Sequence, residues 1–243
     1  MSSEIIYLLL FTTVIISGCS VLFLRIEKQA LKLILAFSGA YLLAITVLHL
    51  IPDIYSFPFP TGEESGGKVG IFILAGFLLQ IFIEYFSEGI EHGHIHVHKH
   101  EEKTFPVTVM LALSVHSFLE GMPMAGDLNE TKQSLATGII LHNVPIAIAL
   151  MSMLIQSGQK KGNAIMWLVV FALMTPLGAL SGNLLEGNMG LITNYSNYLM
   201  AIVVGIFLHV STTILFESSE HHRFHLMKLA VILAGMGLAM IAI

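Results

Sequence analysis

Long apolar segments alternate with short polar ones along the whole of this chain. An α-helix needs about 20 predominantly apolar residues to cross the hydrocarbon core of a bilayer. Inside that core only helices and closed barrels satisfy their own backbone hydrogen bonds. The pattern therefore predicts eight transmembrane helices, over about 4–24, 31–51, 69–89, 105–126, 133–155, 162–184, 195–216 and 224–243.

The composition supports a single polytopic membrane domain over residues 1–243. Hydrophobic residues make up 55% of the chain and charged residues 11%, with a mean hydropathy of +0.82, whereas about 25% of a soluble domain is charged. The only cysteine, Cys19, excludes an internal disulfide and a cysteine-built metal cage. We expect an all-α integral membrane protein that is embedded in the lipid bilayer and does not bind nucleic acid.

Lysine and arginine are distributed unevenly among the predicted loops. Nine lie in or beside the odd-numbered loops, namely Arg25, Lys28, Lys32, Lys99, Lys103, Lys160, Lys161, Arg223 and Lys228, against Lys68 and Lys132 in the even-numbered ones. Basic residues favour the cytoplasmic side of a membrane. The bias predicts cytoplasmic odd-numbered loops, both termini outside the cytoplasm, and a plasma or inner membrane location.

The fourth and fifth predicted helices carry polar and ionisable residues where lipid disfavours them. These residues are His116, Ser117 and Glu120 in the fourth helix, and His142 and Asn143 in the fifth. His116 and His142 each lie 13 positions from Asn129, near the centre of the intervening turn. In a helical hairpin, such mirrored positions share one depth, about 20 Å along the helix less the turn, near the middle of the bilayer.

Imidazoles and a carboxylate at this depth indicate a metal site. His116 and Glu120 are four residues apart and share one helix face. Together with His142 they suit zinc, and also cadmium, iron, manganese or cobalt. The alternative is a set of interhelical hydrogen bonds, but a mid-membrane carboxylate costs about 2.5–3.5 kcal/mol or more and normally marks function. Pro123, Pro145 and Pro176 free backbone carbonyls and favour a kinked, partly hydrated pathway.

Further ionisable residues are candidates for a secondary pathway. His49 and Asp53 lie near the predicted outer face, where they either gather cations or cap the second helix. His209 lies deeper, and Glu84 approaches the cytoplasmic end of the third helix. The cytoplasmic loop 90–104 contains a tract of alternating histidines, His92, His94, His96, His98 and His100, which is either a weak metal-binding segment or a solvated linker.

Two short sequence echoes suggest an internal symmetry. The second helix ends in HLIPD, with His49 and Asp53, and the seventh carries His209 with Glu217 at its end. Helices 1–3 and 6–8 would then form inverted repeats around helices 4 and 5. This 3+2+3 arrangement would place the site at the repeat interface, as in many secondary transporters.

The motifs resemble those of the ZIP family of divalent metal transporters. The likeness rests on HSFLEG at 116–121, HNVPIA at 142–147, PLGALSG at 176–182 and the histidine-rich loop. It implies that zinc or a related ion moves into the cytoplasm between helices 2, 4, 5 and 7. By motif position it implies His116, Glu120 and His142 as ligands, with Ser117 and Asn143 as further ones. It also implies a homodimer, although no segment of the sequence identifies a subunit interface.

Two departures from that family pattern concern the number of metals. Many members carry a carboxylate where this chain has Ile146, and another where it has Thr175. Members with both can hold two adjacent metals, whereas this chain is expected to hold one. Fewer carboxylates favour a nitrogen-preferring ion such as zinc over manganese or magnesium.

The leading hypothesis is a secondary or facilitative importer of divalent transition metal, with zinc as substrate and no cofactor. The sequence contains no motif resembling a nucleotide-binding loop. A membrane-embedded hydrolase is an alternative, with Glu120 as general base to a metal-bound water. It requires three firm ligands and an open position, and no HExxH motif is present. A non-conducting metal sensor is the other alternative. We do not expect an enzyme.

Overall fold

The computed structural model describes residues 3–56, 65–87, 107–126, 129–188, 195–217 and 226–241, and the regular structure in these ranges is entirely helical. Each predicted segment coincides with a helix: α1 Ser3–Ser20, α2 Lys28–Ser56, α3 Ser65–Ser87, α4 Val107–Gly121, α5 Glu130–Gln156, α6 Lys161–Asn188, α7 Tyr195–Glu217 and α8 Leu226–Ile241. Helices α1 to α7, with α4 counted through Met124, are long and apolar enough to cross a membrane, and α8 is an apolar helix of 16 residues. The all-α membrane fold is confirmed.

Helix boundaries differ from the predicted ones by up to five residues, and at two of these ends, in α2 and α4, a proline lies nearby. Helix α2 continues five residues beyond its predicted end at 51, and its π-helical turn at Thr46–Leu50 ends two residues before Pro52. A proline has no backbone N–H and crowds the carbonyl four residues earlier, and a wider turn accommodates both defects. Helix α4 ends at Gly121 and passes into a 3₁₀ turn, Met122–Met124, around Pro123. In contrast, α5 and α6 remain helical across Pro145 and Pro176.

The described helices pack as two groups of four. In the first group, α1 packs along α5 and α6, and α4 packs along α6. In the second group, α3 packs along α7, and α2 packs along α8 and against α7. Contacts of α2 with α5 and of α3 with α4 join the groups. The hairpin of α4 and α5 therefore belongs to the first group, and its α4 side faces α3.

Glycines allow the closest helix approaches in each group. A Cβ atom at Gly178 of α6 would lie 2.0 Å from the Phe118 carbonyl oxygen of α4, and one at Gly121 would lie 2.1 Å from the Thr175 carbonyl oxygen. Between α3 and α7, Gly76 and Gly205 make the same reciprocal approach to opposing carbonyls. Any larger residue at these positions would push the helices apart.

Helix α5 lies at the centre of the first group and is the most buried of the spanning helices. Asn129 caps its N-terminus, where the side-chain oxygen accepts a hydrogen bond from the Lys132 backbone N–H at 2.8 Å. Because helices surround it, α5 is apolar on most sides, as expected of a buried helix. A polar residue on α5 therefore faces protein, and the cap sets the residue at which the helix begins.

Candidate metal centre

Three side chains that could hold a metal ion come together from α4 and α5. His116 and Glu120 of α4 and His142 of α5 are fully buried, and one donor atom from each lies within 4.8 Å of the other two. The His116 and His142 rings stand nearly edge to face, with centroids 5.9 Å apart. The structure thus brings together the residues that the mirrored spacing around Asn129 placed at one depth.

The donor separations are close to those of a common metal ion. Nitrogen and oxygen ligands of tetrahedral zinc lie about 2.0–2.2 Å from the ion and therefore about 3.3–3.6 Å from one another. The three donor atoms here all lie within 4.8 Å of one another. Binding one ion would therefore require the side chains to close by up to about 1 Å.

The electrostatics of the His116–Glu120 pair favour a cation between them. The His116 Nε2 and Glu120 Oε1 atoms are 2.9 Å apart. An unprotonated imidazole nitrogen and an ionised carboxylate oxygen would present lone pairs to each other at that distance and repel, whereas a protonated nitrogen would donate a hydrogen bond. Because a proton or a metal ion removes that repulsion, and no water-exposed surface is available to either group, the pair is suited to binding a positive charge.

Ser117 and Asn143 are the two further predicted ligands. Each directly follows a donor histidine in the sequence, and both are buried. Neither the Ser117 hydroxyl nor the two polar atoms of the Asn143 amide has a hydrogen-bond partner within the part of the chain that the structure describes. Buried polar groups are normally hydrogen-bonded, so these groups have the capacity to bind a ligand.

Glycine packing positions the α4 donors. Gly121 directly follows Glu120, and its contact with α6 at Thr175 holds this end of α4 against α6. This close approach gives a physical reason for a glycine after the glutamate in HSFLEG, and for the glycines in PLGALSG. Ile146 and Thr175 are both buried, and neither side chain is a carboxylate. No carboxylate is therefore added to the cluster from either position.

Gln80 is a polar contact of the site that the sequence analysis did not single out. It lies on α3, is fully buried, and its Oε1 atom is 2.9 Å from His116 Nδ1. The signal was present in the sequence, because Gln80 is an amide within the otherwise apolar run GIFILAGFLLQIFI at 70–83. Its partner, 36 residues away, could not be assigned without the packing of α3 against α4.

The secondary candidates fall into two places. His209 of α7 and Glu84 of α3 meet in a side-chain contact between His209 Nε2 and Glu84 Oε2, with the Phe77 ring edge-on to the imidazole. His49 lies in the π-helical turn of α2, with its Nε2 atom buried, and Asp53 lies one turn further along the same helix. Neither pair belongs to the three-donor cluster. The histidine tract at 92–100 lies outside the described residues.

The fold and the cluster together define a class: a polytopic helical membrane protein whose interior holds two imidazoles and a carboxylate at one point. Sequence comparison narrows the class. A family model described as ZIP Zinc transporter matches residues 90–243, which is well over half of the chain. The chain belongs to the ZIP zinc transporter family.

Individual relatives are distant. The chain is 25% identical over 160 residues to Zinc transporter ZIP9 of Micropogonias undulatus, covering 62% of this chain and 51% of that protein. It is 25% identical over 194 residues to Zinc transporter ZIP1 of Danio rerio, covering 63% of this chain and 64% of that protein. The chain thus spans between half and two thirds of the length of these curated relatives.

Proposed function

We propose that this protein carries divalent transition-metal ions, zinc first, across a membrane into the cytoplasm through a site formed by His116, Glu120 and His142. The observation that carries the proposal is the convergence of these three buried donors, within 4.8 Å of one another, between two membrane-spanning helices. The names of the relatives, zinc transporters ZIP9 and ZIP1, agree with this cargo.

The donor set favours zinc over harder ions. Two imidazole nitrogens and one carboxylate oxygen suit zinc, while manganese and magnesium prefer oxygen-rich sites. Ile146 and Thr175 add no oxygen anion, so we infer one ion at a time. Cadmium, iron and manganese are secondary substrates under this proposal. A single carboxylate also leaves the bound dication incompletely neutralised, which favours release as well as binding.

The cargo is proposed to pass the secondary candidates on either side of the site. Under the orientation that the basic residues predict, His49 and Asp53 lie on the outer side and attract cations entering from there. Glu84 lies towards the cytoplasmic end of α3 and meets His209 of α7, so this pair would accompany release. The histidine tract at 92–100 would then receive ions on the cytoplasmic side.

Transport requires the site to face each side in turn, and the helix packing supports movement of one group of four against the other. Gly121 and Gly178 hold α4 against α6, so α4 and α5 would move together with α1 and α6. An inverted repeat would relate α1, α2 and α3 to α6, α7 and α8, and α4 to α5. Under that relation the α1–α5 contact corresponds to α6–α4, and the α3–α7 contact corresponds to α8–α2. Those matched contacts support the proposed inverted repeats.

The test is zinc uptake into proteoliposomes that contain the purified full-length protein. We expect saturable zinc entry without ATP, lost in His116→Ala and Glu120→Ala. Glu130→Ala, an exposed residue in the first turn of α5, is the matched control and should transport normally. Zinc binding without flux would instead identify a sensor, and turnover of a lipid or peptide would identify a hydrolase. Competition by cadmium, iron and manganese would rank the ions.

A further inference from the structure

The Gln80–His116 contact links the candidate metal centre to a helix of the other group. Gln80 and His116 are both fully buried, and the glutamine oxygen Oε1 lies 2.9 Å from the imidazole Nδ1. An amide oxygen can only accept a hydrogen bond, so in this arrangement the Nδ1 atom carries the proton and donates it. Burying an amide in the interior is unfavourable unless it is hydrogen-bonded, which makes the contact more than incidental.

The protonated Nδ1 determines what the other ring nitrogen can do. A neutral imidazole with its proton on Nδ1 presents a lone pair at Nε2. That Nε2 atom is the one that faces Glu120, 2.9 Å from its Oε1. In metal sites, a ligating histidine commonly donates its other N–H to a carboxylate, a carbonyl or water, which fixes both tautomer and ring orientation. The Gln80 amide oxygen has the position and chemistry for that role.

We infer that Gln80 is a positioning residue for the metal ligand His116, which it holds in the tautomer and orientation that direct Nε2 at the ion. The inference rests on the proposed metal site and adds a residue from outside the α4–α5 hairpin. It would be wrong if the glutamine NH₂ faced Nδ1, because Nδ1 would then accept and the proton would lie on Nε2, towards Glu120.

The location of Gln80 adds a consequence for transport. Helix α3 is held against α7 by the reciprocal Gly76 and Gly205 approaches, so a movement of the second group would carry Gln80 with it. His116 lies on α4, which packs against α6 in the first group. A relative movement of the groups would break the hydrogen bond. Tight binding at His116 is therefore confined to arrangements in which α3 is packed against α4.

The experiment compares zinc affinity in three variants of the purified full-length protein. Gln80→Leu removes the acceptor at similar size, and we expect zinc to bind about 10–100-fold more weakly, the usual effect of losing such an outer partner. Gln80→Glu keeps an acceptor oxygen and should bind within about threefold of the parent protein or more tightly. Gln156→Leu changes an exposed glutamine at the end of α5 and should bind as the parent does. If Gln80→Leu does not fold, Gln80→Met replaces it.

A spectroscopic measurement separates positioning from a general loss of structure. In protein labelled with ¹⁵N-histidine, the His116 signals are those that disappear in His116→Gln. We expect them to report a proton on Nδ1 in the parent and in Gln80→Glu, and a shift towards the other tautomer in Gln80→Leu. Parent-like zinc affinity in Gln80→Leu, equal losses in Gln80→Leu and Gln80→Glu, or a parent proton on Nε2 would overturn the inference. If the parent itself bound no zinc, the proposed function would fail instead.

Discussion

In the described part of the chain, two histidine–carboxylate pairs lie within contact distance, and they differ in their surroundings. The side chains of His116 and Glu120 are both 0% exposed and lie one turn apart on a single helix, with His142 completing a group of three donors. The side chains of His209 and Glu84 are 12% and 22% exposed and join two different helices. Among the described residues, the second pair has no third histidine, cysteine or carboxylate within metal-binding distance.

The difference shows that residue type alone does not define a metal site. Zinc sites in proteins use three or four ligands, and only the first pair belongs to a set of three. The second pair has the chemistry of an interhelical tie, since it connects α3 to α7 where Gly76 and Gly205 already hold those helices together. Donor number and burial therefore distinguish a cluster suited to holding an ion from an interhelical contact.

The largest expected effect on zinc affinity comes from neutralising Glu120, and neutralising Glu84 in the other pair is the comparison. Glu120→Gln removes the only anionic donor of the three-residue cluster, and we expect zinc affinity to fall by more than about 100-fold, beyond the loss typical of an outer partner. Glu84→Gln should leave zinc affinity within about threefold and reduce the uptake rate modestly. Both are measured by zinc titration of the purified protein and by proteoliposome uptake.

Those two variants are controls for each other, because both exchange a buried or half-buried glutamate for its amide. Equal loss of zinc affinity in Glu84→Gln and Glu120→Gln would contradict the distinction between the pairs. It would show that His209 and Glu84 form a second binding site of comparable importance.

A second test disturbs the supports of each pair and leaves the donors unchanged. Gly178→Ala would place a Cβ atom 2.0 Å from the Phe118 carbonyl oxygen, so α4 must move away from α6. We expect a loss of about 1–3 kcal/mol in stability, as for other overpacked positions, and zinc binding about tenfold weaker, because a displacement of this kind separates donors that must meet within tenths of an ångström. Thermal unfolding in detergent and zinc titration measure the two effects.

Gly205→Ala is the counterpart for the second pair, since its Cβ would lie 2.0 Å from the Ile73 carbonyl oxygen. It should lower stability in the same way and weaken zinc binding less than Gly178→Ala does, because it displaces α3, which carries Gln80, and not a helix that carries one of the three donors. Gly162→Ala, with nothing within 4 Å of the added Cβ, is the neutral control. Unchanged zinc affinity in Gly178→Ala would show that the α4–α6 approach does not position the donors.

The sequence predicted the helices and the three-donor cluster for a physical reason. A bilayer imposes a minimum length on every apolar segment, and a short turn forces mirrored residues to the same depth. His116 and His142 could therefore be paired by counting from Asn129. The ends of α2 and α4 were harder to predict, because Pro52 and Pro123 permit either an end of the helix or a change to a π or 3₁₀ turn.

Contacts between helices distant in sequence could not be predicted from periodicity. The Gln80–His116 hydrogen bond and the Glu84–His209 contact both depend on which face of α3 meets α4 and α7. That choice follows from glycine-sized gaps at Gly76 and Gly205, and a glycine in a sequence does not name its partner. For the same reason, the sequence proposed Glu84 and His209 separately and did not pair them.

A third prediction adds a carboxylate on α5, close in sequence to His142 of the three-donor cluster. Ile146 is buried on α5, four residues after His142 and so on the same helix face. Ile146→Glu should raise the affinity for manganese relative to zinc several-fold, because oxygen donors favour the harder ion, and allow a second bound metal per chain. Metal analysis of the dialysed protein gives the stoichiometry. Ile146→Gln, of matched size and uncharged, should remain at one metal.

The smallest effects are expected at Ser117 and Asn143, which are buried beside the site without hydrogen-bond partners among the described residues. As neutral oxygen donors they contribute less to a dication than Glu120, and a water molecule can take the fourth position of a zinc site. Ser117→Ala and Asn143→Ala should therefore weaken zinc binding by less than about fivefold, far below the loss from an ionised ligand.

Asn143→Asp tests the same argument with the opposite sign, since a second carboxylate next to His142 should tighten binding. A loss in Asn143→Ala as large as that in Glu120→Gln would make Asn143 an essential ligand, and the contrast between the two histidine–carboxylate pairs would then depend on four donors and not three.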